Sequence, residues 1–201
     1  MDPSLPLVYL ARHGETAWSV SGQHTGVTDL PLTEQGEHNA LRLIQRLAGA
    51  RFDLVLTSPL LRAKRTCELA GFRDRAEIEP RLTEWNYGQY EGLTTPEIHR
   101  QRPDWELFRD GCPGGESIVQ VAQRAEGVIQ RLRSAGGNAL VFSSAHILRV
   151  FAARWLGLDA ACARLLILST ASLSILGYDH NLSEPVIHLW NDARPANEKG
   201  T

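Results

Sequence analysis

The sequence predicts an α/β fold, a three-layer sandwich with a mostly parallel sheet and helices on both faces. Three observations predict it. Apolar runs of strand length recur at 5–11, 52–57 and 139–142, each followed by a turn and then by helical spacing. Strands alternating with helices require crossovers, which make neighbouring strands parallel and cover both faces of the sheet. The 201 residues hold no linker, repeat or low-complexity tract, so a single domain over 1–201 is expected.

The elements follow in order. Leu5 to Ala11 reads as a buried strand, and a Gly- and Thr-rich loop runs on to Pro31. Thr33 is placed to cap a helix over about 33–49, with Ala40, Leu41, Ile44, Leu47 and Ala48 on one face and Gly49 at its exit. After the strand Phe52–Thr57, Ser58 as cap and Pro59 in the first turn open a helix to about Ala70. Ile78 to Arg81 reads as a short strand. Residues 86–115 read as mostly irregular, with a small helix near 96–101. The clearest helix covers 117–134, its apolar face formed by Ile118, Val121, Ala122, Ala125, Val128, Ile129 and Leu132, with a Ser117/Gln120 capping box. The strand 139–142, a helix from His146 to Leu156 closed by Gly157, and two late strands at 172–178 and 185–190 complete the pattern. The polar residues from about 191 onward read as a loose tail.

Twenty-one basic and 23 acidic side chains leave a net charge of −2, which argues against a broad nucleic-acid surface or a polybasic membrane patch. No apolar run approaches the ~20 residues of a membrane helix, and the start lacks the pattern of a secretory signal. Cys67, Cys112 and Cys162 are odd in number and have no metal-ligand spacing, as expected of reduced thiols in a cytoplasmic protein. The expected partner is a small metabolite, with no nucleic acid and no membrane; a homo-oligomer stays open.

The chemistry gathers at strand ends. Val8 to Ala11 gives way abruptly to Arg12-His13-Gly14, and Phe52 to Thr57 to Ser58-Pro59-Leu60-Leu61-Arg62. In a parallel sheet both segments open at the same edge, where α/β folds place ligands. Arg12 and Arg62 suit a phosphoryl group that must be held by paired hydrogen bonds and neutralised. His13 between them is a candidate nucleophile. Gly14 is read as permitting a turn. A leaving alkoxide needs a proton donor, and Glu84, after a short strand and beside Trp85, is the best candidate. Glu91 is read first as a loop brace. His38, His99, His180 and His188 are read as solvent or packing residues, and Arg42, Arg46, Arg131 and Arg133 as exposed helix positions.

Taken together, Arg12-His13-Gly14-Glu15-Thr16, Pro31-Leu32-Thr33-Glu34-Gln35-Gly36, Ser58 to Arg62, Glu84 with Gly88 and Tyr90-Glu91-Gly92, and Gly114-Gly115-Glu116-Ser117 resemble the histidine phosphatase superfamily, whose fold is phosphoglycerate mutase-like. The similarity extends over about 7–190. It implies a His13 nucleophile, a phosphate pocket with Arg12 and Arg62, Glu84 as proton donor, and neither metal nor organic cofactor. The segment 19–26 and Glu84 to Gly88 are similar to the branch of sedoheptulose-1,7-bisphosphatases and broad acid phosphatases. That implies substrate contacts from Ser19, Gln23, His24 and Thr25.

One position departs from the pattern. The family carries a second essential histidine, followed by glycine, after the late strand. Aligning Leu148-Arg149 puts Ser144 there, followed by Ala145, and makes His146 a second, non-essential histidine of this branch. His146 replaces the missing residue only if the helix start slips by two positions; Ser144 and His146 are both counted with the phosphate site. The expected activity is hydrolysis of a small phosphomonoester, a sugar phosphate, through phospho-His13, with activity impaired by the loss of the histidine. Two alternatives stay open: an isomerase- or lyase-type enzyme moving protons on the same scaffold, and a non-catalytic phosphate-binding protein.

Overall fold

The computed structural model describes residues 5–194. In chain order the elements are β1 (Val8–Arg12), α1 (Ala17–Ser21), α2 (Glu34–Leu41), α3 (Leu43–Arg46), β2 (Leu54–Thr57), α4 (Leu61–Leu69), β3 (Ala76–Ile78), α5 (Thr95–Gln101), α6 (Leu107–Asp110), α7 (Ile118–Ala135), β4 (Ala139–Ser143), α8 (Ala145–Trp155), β5 (Leu173–Tyr178) and β6 (Pro185–Asp192). They build one six-stranded sheet in the order β3-β2-β4-β1-β5-β6. The strands β3, β2, β4 and β1 run parallel; β5 is antiparallel to β1, and β6 to β5.

Alternation along each strand produces the layers. Val8, Leu10, Leu56, Ala139 and Val141 point to one face, where they pack with α7, α8 and the aromatic-rich residues 85–112. Ala11, Val55, Leu140 and Phe142 point to the other, against Leu43, Leu47, Cys67 and Ala70 of the α2–α4 side. The helix α7 buries the predicted apolar positions and begins with the predicted Ser117/Gln120 capping box.

Several boundaries differ from the sequence reading for identifiable reasons. The helix expected over 33–49 is interrupted at Arg42, whose amide donates to Asn39 three residues back instead of four. Ser58 does not cap α4; Leu60 holds that position without a side-chain cap, and the helix starts at Leu61. The strand expected at 78–81 occupies 76–78, because Pro80 opens a 3₁₀ turn over Pro80–Leu82. The tail does not begin at 191: Asn191 and Asp192 belong to β6, and Asp192 pairs with Arg46 at 3.0 Å. That pair is 12 % exposed on each side, so Arg46 is a largely covered tie and not an exposed helix position. The rest of the expected tail lies outside the described residues. Among those residues, no helix is long and apolar enough to cross a membrane.

Candidate active site

Strand register fixes the site. Arg12 pairs with Ser143 across β1 and β4, and Thr57 with Phe142 across β2 and β4. His13, Ser144 and Ser58 therefore leave three adjacent strands at one edge of the sheet. The His13 amide donates to the Ser143 carbonyl at 2.9 Å, and the Ser58 amide to Phe142. A cavity of about 280 Å³ opens there, lined by Arg12, His13, Ser19, Gln23, His24, Thr25, Glu84 and His146 among others.

His13 is buried, and its Nδ1 lies 2.7 Å from the Gly14 carbonyl. A carbonyl only accepts, so Nδ1 carries the hydrogen and Nε2 keeps its lone pair. Burial holds the ring well below the ordinary histidine range, and the charges of Arg12 and then Arg62 push the same way. The imidazole is neutral, with one nitrogen tied to the backbone and the other available.

The loop after His13 is held by backbone packing. A Cβ on Gly14 would meet the Gly36 carbonyl oxygen at 2.4 Å, and one on Gly36 would meet the Glu15 oxygen at 2.2 Å. Gly14 is thus required by close approach and not, as the sequence suggested, by a turn. Thr33 caps α2 through the Gly36 amide and donates its hydroxyl to Glu15 Oε1 at 2.7 Å, so the 31–36 motif clamps the nucleophile loop. Gly14→Ala is expected to destabilise the fold by about 1–3 kcal/mol, since rigid backbone must move. The check is a lower urea midpoint at unchanged slope.

Glu84 faces this loop from the opposite wall. Its Oε1 accepts the amides of Trp85 and Ile147, each at 2.9 Å, and its Oε2 the amide of His146 at 3.0 Å. The start of α8 thereby anchors the carboxyl group. Oε1 has both lone pairs engaged, which leaves Oε2 as the oxygen able to carry a proton into the cavity. The turn bearing Glu84 is clamped from behind. Glu116 accepts from the Asn86 amide and pairs with Arg124, which donates to the carbonyls of Arg81 and Thr83.

α8 starts at Ala145 with Ser144 as its N-cap residue, so Ser144 holds the strand-to-helix position in this chain. Ser144 is buried, does not line the cavity, and its Oγ has no partner among the described residues. His146 lies one residue into the helix, with Nδ1 against the Tyr87 hydroxyl. Burial keeps Tyr87 protonated, its ionisation raised well above the usual range, and keeps His146 neutral. The hydroxyl therefore donates to Nδ1, and Nε2–H is the donor that His146 offers.

The two arginines differ. Arg12 lines the cavity and donates to the Leu168 carbonyl; burial lowers its guanidinium to about 10, still charged at neutral pH. Arg62 does not line the cavity. Its Nη1 donates to Thr28 and its Nη2 to Thr25 and Gly26, all carbonyl oxygens, at 2.8–3.0 Å. The two-point grip expected of Arg62 is absent because those donors brace the 25–28 loop. The Nε atoms of both arginines are buried without a partner among the described residues.

Of the expected substrate contacts, Ser19 lines the cavity, but its hydroxyl is engaged in the Thr16 capping box at the start of α1. Gln23 spends its amide on the Gly92 carbonyl at 2.8 Å. His24 packs on Tyr87 and Trp105 and approaches the Thr95 hydroxyl at 3.3 Å. Burial lowers its basicity, opposed by Glu91. The Thr25 hydroxyl donates to the Gln23 carbonyl. Glu91 is the brace of the 26–28 loop through the amides of Gly26 and Thr28.

Sequence reasoning missed Trp18 and Thr95 in the cavity wall, which Tyr87 also lines, and the segment 168–172 behind it. The Ser172 carbonyl accepts from the Arg12 amide, and the Ala171 amide donates to the His13 carbonyl at 3.0 Å. The segment 168–172 works through carbonyls and amides, which leave no signature in residue type.

The family described as histidine phosphatase superfamily (branch 1) matches residues 8–193. The chain is similar to an acid phosphatase of Mycobacterium tuberculosis, 39% identical over 179 residues, 87% of this chain and 88% of that protein. It is also similar to the sedoheptulose 1,7-bisphosphatase of Saccharomyces cerevisiae, 37% identical over 78% of this chain and 70% of that one. Among solved structures, an open reading frame of Mycobacterium tuberculosis superposes with a TM-score of 0.87 at 36% identity, covering 92% of this chain and 97% of the other.

Proposed function

The chain belongs to the histidine phosphatase superfamily, and from that premise we propose that it is a phosphatase hydrolysing a sugar phosphate through a phosphorylated His13. One observation carries this reading: a buried, neutral imidazole with Nδ1 fixed on Gly14 lines a polar cavity together with Arg12 and lies within the electrostatic reach of Arg62.

In the first step His13 Nε2 attacks phosphorus. The N–P bond forms, the bond to the ester oxygen breaks, and the departing alkoxide takes the proton from Glu84 Oε2. In the second step a water oxygen attacks the same phosphorus and gives its proton back to Glu84. The N–P bond breaks, and phosphate leaves with the imidazole restored. Arg12 and Arg62 offset the charge that builds on the phosphoryl oxygens. The Nε2–H of His146 is a further donor in the cavity wall, whereas Ser144 is buried outside the cavity lining. The aromatic wall of His24, Tyr87 and Trp18 and the polar edge at Gln23 and Thr95 suit a hydroxylated skeleton beyond the phosphate, in keeping with a relative that acts on sedoheptulose bisphosphate. Cys67, Cys112 and Cys162 form no disulfide, which fits a reducing compartment such as the cytoplasm.

The test is to quench turnover of a sugar phosphate in base and map the phosphoryl group. Base-stable, acid-labile phosphate on the His13 peptide is expected; its absence during demonstrated hydrolysis would overturn the mechanism. Glu84→Gln is expected to lower kcat on alkyl phosphates by about 10²–10⁴. With 4-nitrophenyl phosphate, whose leaving group departs without a proton, the loss shrinks. Equal losses on both substrates would remove Glu84 from the donor role.

A further inference from the structure

His146 is held from three directions. Its backbone amide donates to Glu84 Oε2 at 3.0 Å, its ring stands edge-to-face with Phe108 at a centroid distance of 5.4 Å, and its Nδ1 meets the Tyr87 hydroxyl. Phe108 is itself backed by the Arg149 guanidinium, 4.6 Å from the ring centre, which donates to the carbonyls of Ala163 and Arg164. Tyr87 is equally fixed. It is 1 % exposed, its ring packs on His24 at 4.8 Å, and a Cβ on Gly26 would meet its Cδ2 at 2.9 Å.

The direction of the hydrogen bond follows from the atoms present. Among the described residues, the Tyr87 hydroxyl has one hydrogen-bond partner, His146 Nδ1. A buried hydroxyl keeps its hydrogen on an acceptor, since leaving it unpaired costs the full desolvation of the group. Tyr87 therefore donates, Nδ1 accepts, and the ring hydrogen sits on Nε2. Burial and then the charge of Arg149 oppose a second proton on the ring.

His146 lines the cavity, whereas Ser144 is buried outside its lining and its Oγ has no partner among the described residues. We propose that Tyr87 is a positioning residue for phosphoryl transfer: its hydroxyl fixes His146 as an Nε2–H donor to the phosphoryl oxygens, and the pair supplies what Ser144 does not. Tyr87 acts here through His146. Without the hydroxyl, Nδ1 lies buried with no donor, and the ring gains by turning over or by moving its hydrogen to Nδ1. Either change takes the N–H away from the oxyanion. This role rests on the phosphatase reading; the state of the ring does not.

The test reads the His146 ring of the full chain labelled with ¹⁵N-histidine, and then titrates inorganic phosphate. An unprotonated Nδ1 and a protonated Nε2 are expected, with Nε2 the nitrogen that shifts as phosphate saturates the site. A hydrogen on Nδ1, or a silent Nε2 while the His13 ring responds, would overturn the role of Tyr87. No response at either ring overturns the phosphate pocket and this role together. Kinetics with 4-nitrophenyl phosphate complete a double-mutant cycle. Tyr87→Phe is expected to lower kcat about tenfold, the loss of one hydrogen bond, and His146→Ala about 10²-fold. On the His146→Ala background the Tyr87→Phe factor is expected to shrink to about twofold or less. An equal factor on both backgrounds would make Tyr87 structural and sink the role alone. His146→Gln, whose amide N–H reaches the Nε2 position, is expected to keep more activity than His146→Asn, whose amide reaches only that of Nδ1; the reverse order contradicts an Nε2 donor. Should the native chain hydrolyse no phosphomonoester, the phosphatase reading falls and the role falls with it.

Discussion

Replacing His13 with alanine is expected to lower kcat by about 10⁴-fold or more, because the covalent step has no substitute nucleophile. The described cysteines do not fill the role: Cys67 and Cys112 lie in the core, where burial pushes both thiols up to about 12. The pH profile of the native protein tests the same residue. Reaction requires the neutral ring, and burial, Arg12 and Arg62 all oppose its protonation. As pH falls through roughly 6.5, the ordinary histidine value, the folded ring stays unprotonated. Activity is therefore expected to persist into the acid range and to fall only well below that value. Steady-state kcat/KM from alkaline to acid pH checks this; an acid limb centred at the ordinary histidine value would contradict the environment described.

Ser144→His combined with Ala145→Gly is expected to raise kcat by about 10²–10³, the worth of one strong donor aimed at a developing oxyanion. The register supports placing it there, since Ser143 pairs with Arg12 and Ser144 leaves β4 beside His13. Serine is short and uncharged, and its Oγ reaches no partner among the described residues. The comparison is made on both the native and the His146→Ala backgrounds. A gain only in the absence of His146 would show that the Nε2–H of His146 already fills the fourth corner. No gain on either background would mean that phosphoryl transfer in this chain does not use a donor at that strand end.

The architecture was legible where periodicity and capping agree. α7 has both an apolar stripe and a Ser117/Gln120 box, and its bounds fall within a residue of expectation. β5 and β6 were legible as strands, but their antiparallel pairing was not read from the sequence. What failed was hydrogen bonding without a side-chain signature. The break at Arg42 is a change of carbonyl partner, invisible in residue type. Ser58 looked like a cap, yet its position is set by β2, and the helix begins two residues past Pro59. At the site, motif spacing brought His13, Arg12, Glu84 and the 19–25 loop to one cavity. It could not show that the Arg62 terminal nitrogens are spent on the carbonyls of Thr25, Gly26 and Thr28. It also hid the role of Arg46, whose burial depends on a carboxylate 146 residues away in sequence.

The anchoring of Glu84 on the first amides of α8 ties three functional groups into one rigid piece: the acid, His146 and Ser144 travel together. Much of the wall that meets the rest of a substrate hangs on different supports, α1 and the start of α5, with Tyr87 joining it to His146. Reaction and selectivity thus rest largely on separate elements. Grafting the 18–25 and 93–96 stretches from a relative should retarget this scaffold while its bond-breaking apparatus stays in place, which makes the fold a chassis for new substrates.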